Sequence, residues 1–129
     1  MTDNKQNKAA LWTGRVLSGL IVALLTMSAV MKLKGGPDAE AGAAHLGIPL
    51  AAATMVGVEE LVSVILYAIP ATSVLGAILL TGHMGGAMAL HVRLGEPWFV
   101  QLMIGVLAWG GLWLREPRLW QLLPLRRGR

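Results

Sequence analysis

Cysteine is absent from the 129 residues. That excludes disulfides, thiolate zinc and iron–sulfur sites, thiol redox relays and covalent c-type haem attachment. Charge is scarce as well. Asp, Glu, Lys and Arg make up 14% of the chain, against about 25% in an ordinary soluble domain. Hydrophobic residues reach 55%, and the mean hydropathy is +0.62. A soluble domain of this length would lack the polar surface to cover itself, and a disordered chain would hold far fewer apolar residues. The composition specifies a small integral membrane protein.

The net charge is +4, and the basic residues crowd at the two ends. Lys5, Lys8 and Arg15 stand toward the N-terminus, and Arg115, Arg118, Arg126, Arg127 and Arg129 toward the C-terminus. Basic flanks on apolar spans act as topology signals and contact anionic lipid. A nucleic-acid partner is not expected.

A membrane-spanning helix needs about 20 mostly apolar residues. The first candidate runs from Leu11 to Met31 and is uncharged from Val16 onward. It is long for the apolar region of a signal peptide, and no clean small-residue cleavage site follows it, so it reads as a retained anchor. Lys32, Lys34 and Gly35-Gly36-Pro37 end it, and Asp38 is placed to cap a short helix through Ala44. From Ala41 to Val92 the only formal charges are Glu59 and Glu60. Either one span covers Leu61 to Leu80, or two spans meet at Pro70. The second reading accounts for all of the apolar sequence, and Pro70 suits a helix boundary. A last span starts after Glu96-Pro97 and stops at Arg115-Glu116-Pro117. The expected fold is an all-α membrane protein, a four-transmembrane-helix bundle with short loops. Its spans fall at about 11–31, 48–69, 71–92 and 98–114 in a single membrane domain. Trp12, Trp98, Trp113 and Trp120 stand near span ends, as an aromatic belt requires.

Four spans put both termini on one side. Eight basic residues lie there, against Lys32, Lys34 and Arg93 on the other. The positive-inside rule places both termini in the cytoplasm, in a bacterial inner membrane by style.

Ionisable residues at membrane depth are functional candidates by default. Glu60 lies ten residues before Pro70, Glu59 eleven before and His83 thirteen after. At about 1.5 Å per residue, an antiparallel hairpin brings all three to one height, roughly 15–20 Å from the turn. The two glutamates point about 100° apart, so one can face His83 while the other meets the first or last span. Glu59, Glu60 and His83 form a candidate intramembrane polar site, able to exchange protons with a quinone or a transported substrate. Used only for packing, the same residues would be a buried hydrogen-bonded group.

Lys32, Lys34, His91 and Arg93 form a second candidate, a cationic outer mouth for an acidic head group or a quinone carbonyl. Snorkelling helix-end residues would look the same. His91 and His83 stand about 80° apart on a helical wheel and do not align as two ligands of one haem; His45 or another chain would be needed. The spacing of Glu59, Glu60 and His83 matches no metal motif, and no metal site is expected. The third span is rich in small residues: Ala77, Thr81, Gly85 and Ala89 at four-residue spacing, with Gly82 and Gly86 as a GxxxG pair. Such residues let helices approach closely, within the bundle or in a homo-oligomer or subunit contact. No serine or threonine nucleophile arrangement is present, and the methionines read as packing.

Several segments together resemble the DoxX-like family of small four-helix membrane proteins: RVLS at 15–18, Lys32-Leu33, LGIP at 46–49, GVEEL at 57–61, LYAIP at 66–70, LGAILLTGHMGGA at 75–87, HVR at 91–93 and WGGLWLR at 109–115. The resemblance covers about residues 11–125. It implies four spans and cytoplasmic termini. Members of the wider family are linked to respiratory quinol oxidation, to thiosulfate:quinone oxidoreduction and to membrane complexes in oxidative-stress defence. Similar proteins often hold an aromatic residue at position 83, so the resemblance carries no role to His83.

The resulting expectation is a quinone-contacting or accessory subunit of a membrane oxidoreductase complex. Such a subunit has no intrinsic cofactor, takes quinone as its ligand and depends on a redox partner protein. The alternatives are a non-catalytic scaffold or assembly protein, or a small proton-coupled transporter.

Overall fold

The computed structural model describes residues 7–126. The fold is all-helical, with no strand among the described residues. Five α-helices follow one another: α1 Lys8–Lys34, α2 Pro37–Leu46, α3 Leu50–Ala68, α4 Ser73–Arg93 and α5 Phe99–Arg115. A 3₁₀ turn, Pro70–Thr72, joins α3 to α4, and another, Pro117–Gln121, follows α5. α1, α3 and the segment Pro70–Arg93 are long and apolar enough to cross a membrane; α5 is apolar and shorter, at 17 residues. Lys5 lies outside the described residues, as do Arg127 and Arg129.

Local chemistry sets the helix ends. The Asn7 side chain accepts from the Ala9 N–H at 2.8 Å and caps α1. Pro70, which cannot continue a helix, closes α3 and opens the 3₁₀ turn. The one-span alternative across 61–80 is thus interrupted in its middle. α2 begins differently from expectation: Gly36, at φ +88°, stands at its N-cap and Pro37 opens it. Asp38 lies inside the first turn, where its charge favours the helix dipole without capping. Gly47, at φ +71°, adopts the left-handed conformation that ends α2 and turns the chain into α3.

The four long helices form a ring. α1 packs on α3 and α5, and α4 packs on the same two. The core holds Ile21, Leu25, Val64, Tyr67, Leu80 and Leu112. Outward positions are apolar instead of charged: Met55 is 72% exposed and Met27 65%. In water such a surface would aggregate; in lipid it is the expected face.

The small residues of α4 divide. Ala77 is buried, and the Thr81 hydroxyl accepts from Trp109 Nε1 at 2.7 Å, tying α4 to α5. Packing inside the bundle does not extend to Gly82, Gly85 and Gly86. They are exposed, and a Cβ added at any of them would meet nothing within 4 Å. The reason is angular. Gly82 and Gly86 each lie two residues from buried Met84, about 160° round the helix. The close approaches occur elsewhere. A Cβ on Gly76 would lie 2.2 Å from the Tyr67 backbone nitrogen, and one on Gly14 would lie 2.7 Å from the Gly111 carbonyl oxygen.

A cluster of two acids, a lysine and a histidine in a covered cavity

α3 carries Glu59 and Glu60 at its middle, and α4 carries His83 at its middle. The hairpin through Pro70 brings them together. His83 Nδ1 lies 2.7 Å from Glu59 Oε2, and His83 Nε2 lies 3.6 Å from Glu60 Oε2. The imidazole therefore touches both acids. Glu59 is also held on its own helix, where Ser63 Oγ lies 2.8 Å from both its carbonyl oxygen and Oε1.

Glu60 turns toward α1. Its Oε2 accepts from Lys32 Nζ at 2.5 Å, and the same ammonium donates to Ser28 Oγ at 2.8 Å. Lys32 thus belongs to the cluster. Its backbone sits near the end of α1, but a helical side chain leans toward the helix N-terminus. That lean carries the ammonium about one turn back, toward Ser28 and Glu60. Gly57 makes the reach possible: a Cβ there would lie 2.9 Å from Lys32 Cβ, so α1 and α3 approach closely at this level.

Burial separates the two acids. Glu60 is fully buried, whereas the Glu59 side chain is 45% exposed. A buried carboxylate is costly unless it is paired and hydrogen-bonded. Glu60 meets that condition on one oxygen only. Its Oε1 is buried and has no hydrogen-bond partner among the described residues.

Beside this cluster lies a cavity of about 740 Å³. Lys32, Glu59, Glu60 and His83 are in its wall, together with His91 and Gln101. The remaining lining is largely apolar, as in Leu25, Val56, Leu90 and Ile104. Gln101, at the start of α5, leaves its Oε1 buried without a partner among the described residues, while its Nε2 lies 3.5 Å from His91 Nε2. Two orphaned acceptors, on helices at opposite corners of the ring, thus border one cavity.

α2 covers the cavity at one end, with Asp38, Ala43 and Leu46 in the lining. Its far end is tied to the α4–α5 connection. His45 Nε2 lies 2.6 Å from Glu96 Oε1, and Arg93 Nη2 donates to the Leu46 carbonyl. The proposed outer mouth is therefore split among three roles. Lys32 joins Glu60, His91 joins Gln101 on the cavity wall, and Arg93 anchors the covering helix.

Among the described residues no three His, Cys, Asp or Glu side chains are arranged to hold a metal ion. The residues that sequence reasoning missed are Ser28 and Gln101. Each is uncharged, and neither stands out in an apolar run.

The helices and the buried polar cluster define a small helical integral membrane protein with a covered internal cavity. The chain belongs to the DoxX-like family, whose pattern matches residues 16–111. That segment carries the whole cluster and is narrower than the resemblance expected over 11–125. No curated protein and no solved structure matches the chain.

Proposed function

We propose that this protein binds a lipid-soluble quinone or quinol in the cavity beside Lys32, Glu60 and His83, as a subunit of a membrane oxidoreductase. The observation that carries the reading is Glu60: fully buried, paired through one oxygen, with its other oxygen unpartnered in the wall of a mostly apolar cavity. Pockets for lipid-soluble ligands combine apolar walls with a few convergent polar groups. A quinone carbonyl needs a donor. The Lys32 ammonium has three N–H groups, of which Glu60 and Ser28 take two. A quinol hydroxyl needs an acceptor, and Glu60 Oε1 and Gln101 Oε1 supply two.

Quinone and quinol interconvert by two electrons and two protons. Glu60, His83 and Glu59 form a chain of proton-exchanging groups from the buried wall to the half-exposed Glu59. This chain would hold and pass on the protons beside the ligand. The electrons would pass to or from a redox subunit, the partner whose chemistry supplies them.

The assembly reading has one observation of its own. Gly82, Gly85 and Gly86 leave α4 with an open face of small residues, of which Gly82 and Gly86 also border the central cavity. Small residues let a second membrane helix approach closely, so this face suits a partner subunit. Both readings place the protein in a complex. We place that complex in a bacterial inner membrane with both termini cytoplasmic, on the bias of basic residues.

Native mass spectrometry of the protein extracted gently from its own membrane tests the proposal. The expected spectrum contains a bound quinone or quinol mass together with a redox subunit. A bare homo-oligomer without a small molecule would contradict it.

A further inference from the structure

A second cavity, of about 440 Å³, lies at the end of the bundle where α1 begins and α5 ends. Its wall is apolar through Leu11, Val22, Pro70 and Leu112, and it includes two arginines, Arg15 and Arg115.

Arg115 is fixed by a directed chain of hydrogen bonds. Tyr67 is fully buried, and its hydroxyl donates to the Ala108 carbonyl at 2.5 Å. The phenol's single hydrogen is used there, so Ser18 Oγ, 3.0 Å away, donates to it. Ser18 in turn accepts from Arg115 Nε at 3.0 Å. Arg115 Nη2 also reaches the Tyr67 carbonyl at 3.4 Å, and the guanidinium stands 5.2 Å from the Tyr67 ring centre.

A guanidinium has five N–H groups. Two take these partners, and the other three have no protein acceptor among the described residues. Arg15 stands one turn before Ser18 on the same face of α1, its guanidinium 5.1 Å from the Trp12 ring centre. Neither arginine has an ion pair among the described residues. Glu116 also borders the cavity, and its Oε1 is engaged by the Arg118 backbone N–H at 3.2 Å and by Arg118 Nε at 3.5 Å.

A pre-oriented guanidinium with free donors is matched to a phosphate. Here it adjoins an apolar wall, at a helix end of a membrane bundle. Basic pockets between membrane helices take anionic head groups. We propose that this cavity seats the phosphate of an anionic phospholipid, held by Arg115 and Arg15, with its acyl chains along Leu11, Val22 and Leu112. The site is separate from the central cavity and does not depend on the quinone reading.

The test is native mass spectrometry of the full chain released from vesicles of phosphatidylglycerol or of phosphatidylcholine. The wild type should keep one phosphatidylglycerol and no phosphatidylcholine. Arg115→Gln and Arg15→Gln should each weaken retention by about tenfold, the loss of a charge-assisted hydrogen bond. Lys34→Gln, changed at an exposed side chain at the other end of α1, should retain the lipid. Arg15→Gln touches none of the buried chain, and Arg115→Lys keeps the charge; both guard against a folding defect, which circular dichroism would report. Equal retention of both lipids would overturn the proposal, as would retention unchanged in the Arg15 and Arg115 variants. Displacement of the bound mass by inorganic phosphate at millimolar concentration would also overturn it, since the apolar wall would then contribute nothing.

Discussion

The two ends of the bundle are built differently. At the end where α1 begins, backbones touch: Gly14 against Gly111, and Gly76 against Tyr67. The buried side chains there are Tyr67, Leu112 and Ser18, and the polar ones are joined in a closed chain of hydrogen bonds. Toward the other end the helices part around a cavity of about 740 Å³, with Glu60 and Gln101 each leaving an acceptor unused. α2 covers what the four long helices leave open. Glycines bring backbones into contact at the first end, and at the other Gly57 brings α1 and α3 close beside the cavity. The tight end supplies stability. The open end buries two acceptors with unmet bonding capacity, Glu60 Oε1 and Gln101 Oε1, beside the larger cavity.

This contrast orders the expected effects of substitution. The largest falls on the tight end. Gly76→Leu would force a side chain into the Tyr67 backbone, which has no freedom to move aside. We expect about 4 kcal/mol or more of destabilisation, read as a shift of the unfolding midpoint in denaturing detergent. In the open end the largest effect is electrostatic. Lys32→Met leaves the buried Glu60 carboxylate unpaired and should cost about 3–5 kcal/mol. Changing both partners to Met should recover most of that loss, since a buried pair contributes little over an apolar pair of similar size.

Tyr67→Phe removes the hydroxyl between Ser18 and Ala108 and should cost about 1–3 kcal/mol in the same titration, because buried Ser18 loses its acceptor. The smallest effect on stability belongs to α4's open face. Gly82→Leu combined with Gly86→Leu should change the midpoint by no more than about 0.5 kcal/mol, the usual range for an open surface position. The same double variant should fail to co-purify with the partner subunit. A large loss of stability would instead place these glycines inside the folded protein.

Much of this organisation is legible in the sequence. Composition and the length of the apolar runs specify a helical membrane bundle. Pro70 marks the hairpin, because proline cannot donate the bond that would continue α3. Counting residues from that turn puts Glu59, Glu60 and His83 at one height, and the structure brings all three into contact. Three things were not legible. One is which glutamate meets which partner, since adjacent residues differ by about 100° and helix rotation is set by packing. Another is the reach of Lys32, whose backbone sits at the helix end while its ammonium lies at the cluster. The last is the inward face of α4. The four-residue series of small residues begins buried at Ala77 and runs out to exposed Thr81, Gly85 and Ala89, and Gly82 and Gly86 are exposed as well. Spacing alone does not say which side turns inward.

The central claim is that the open end of the bundle binds a quinone beside Glu60. Photolabelling of the protein in lipid with an azidoquinone, followed by peptide mapping, tests it most directly. The account predicts label on cavity-wall residues such as Leu25, Met84 and Leu90, and its loss in Glu60→Gln. Label confined to lipid-facing residues such as Met27 and Met55, with the Glu60→Gln pattern unchanged, would contradict it.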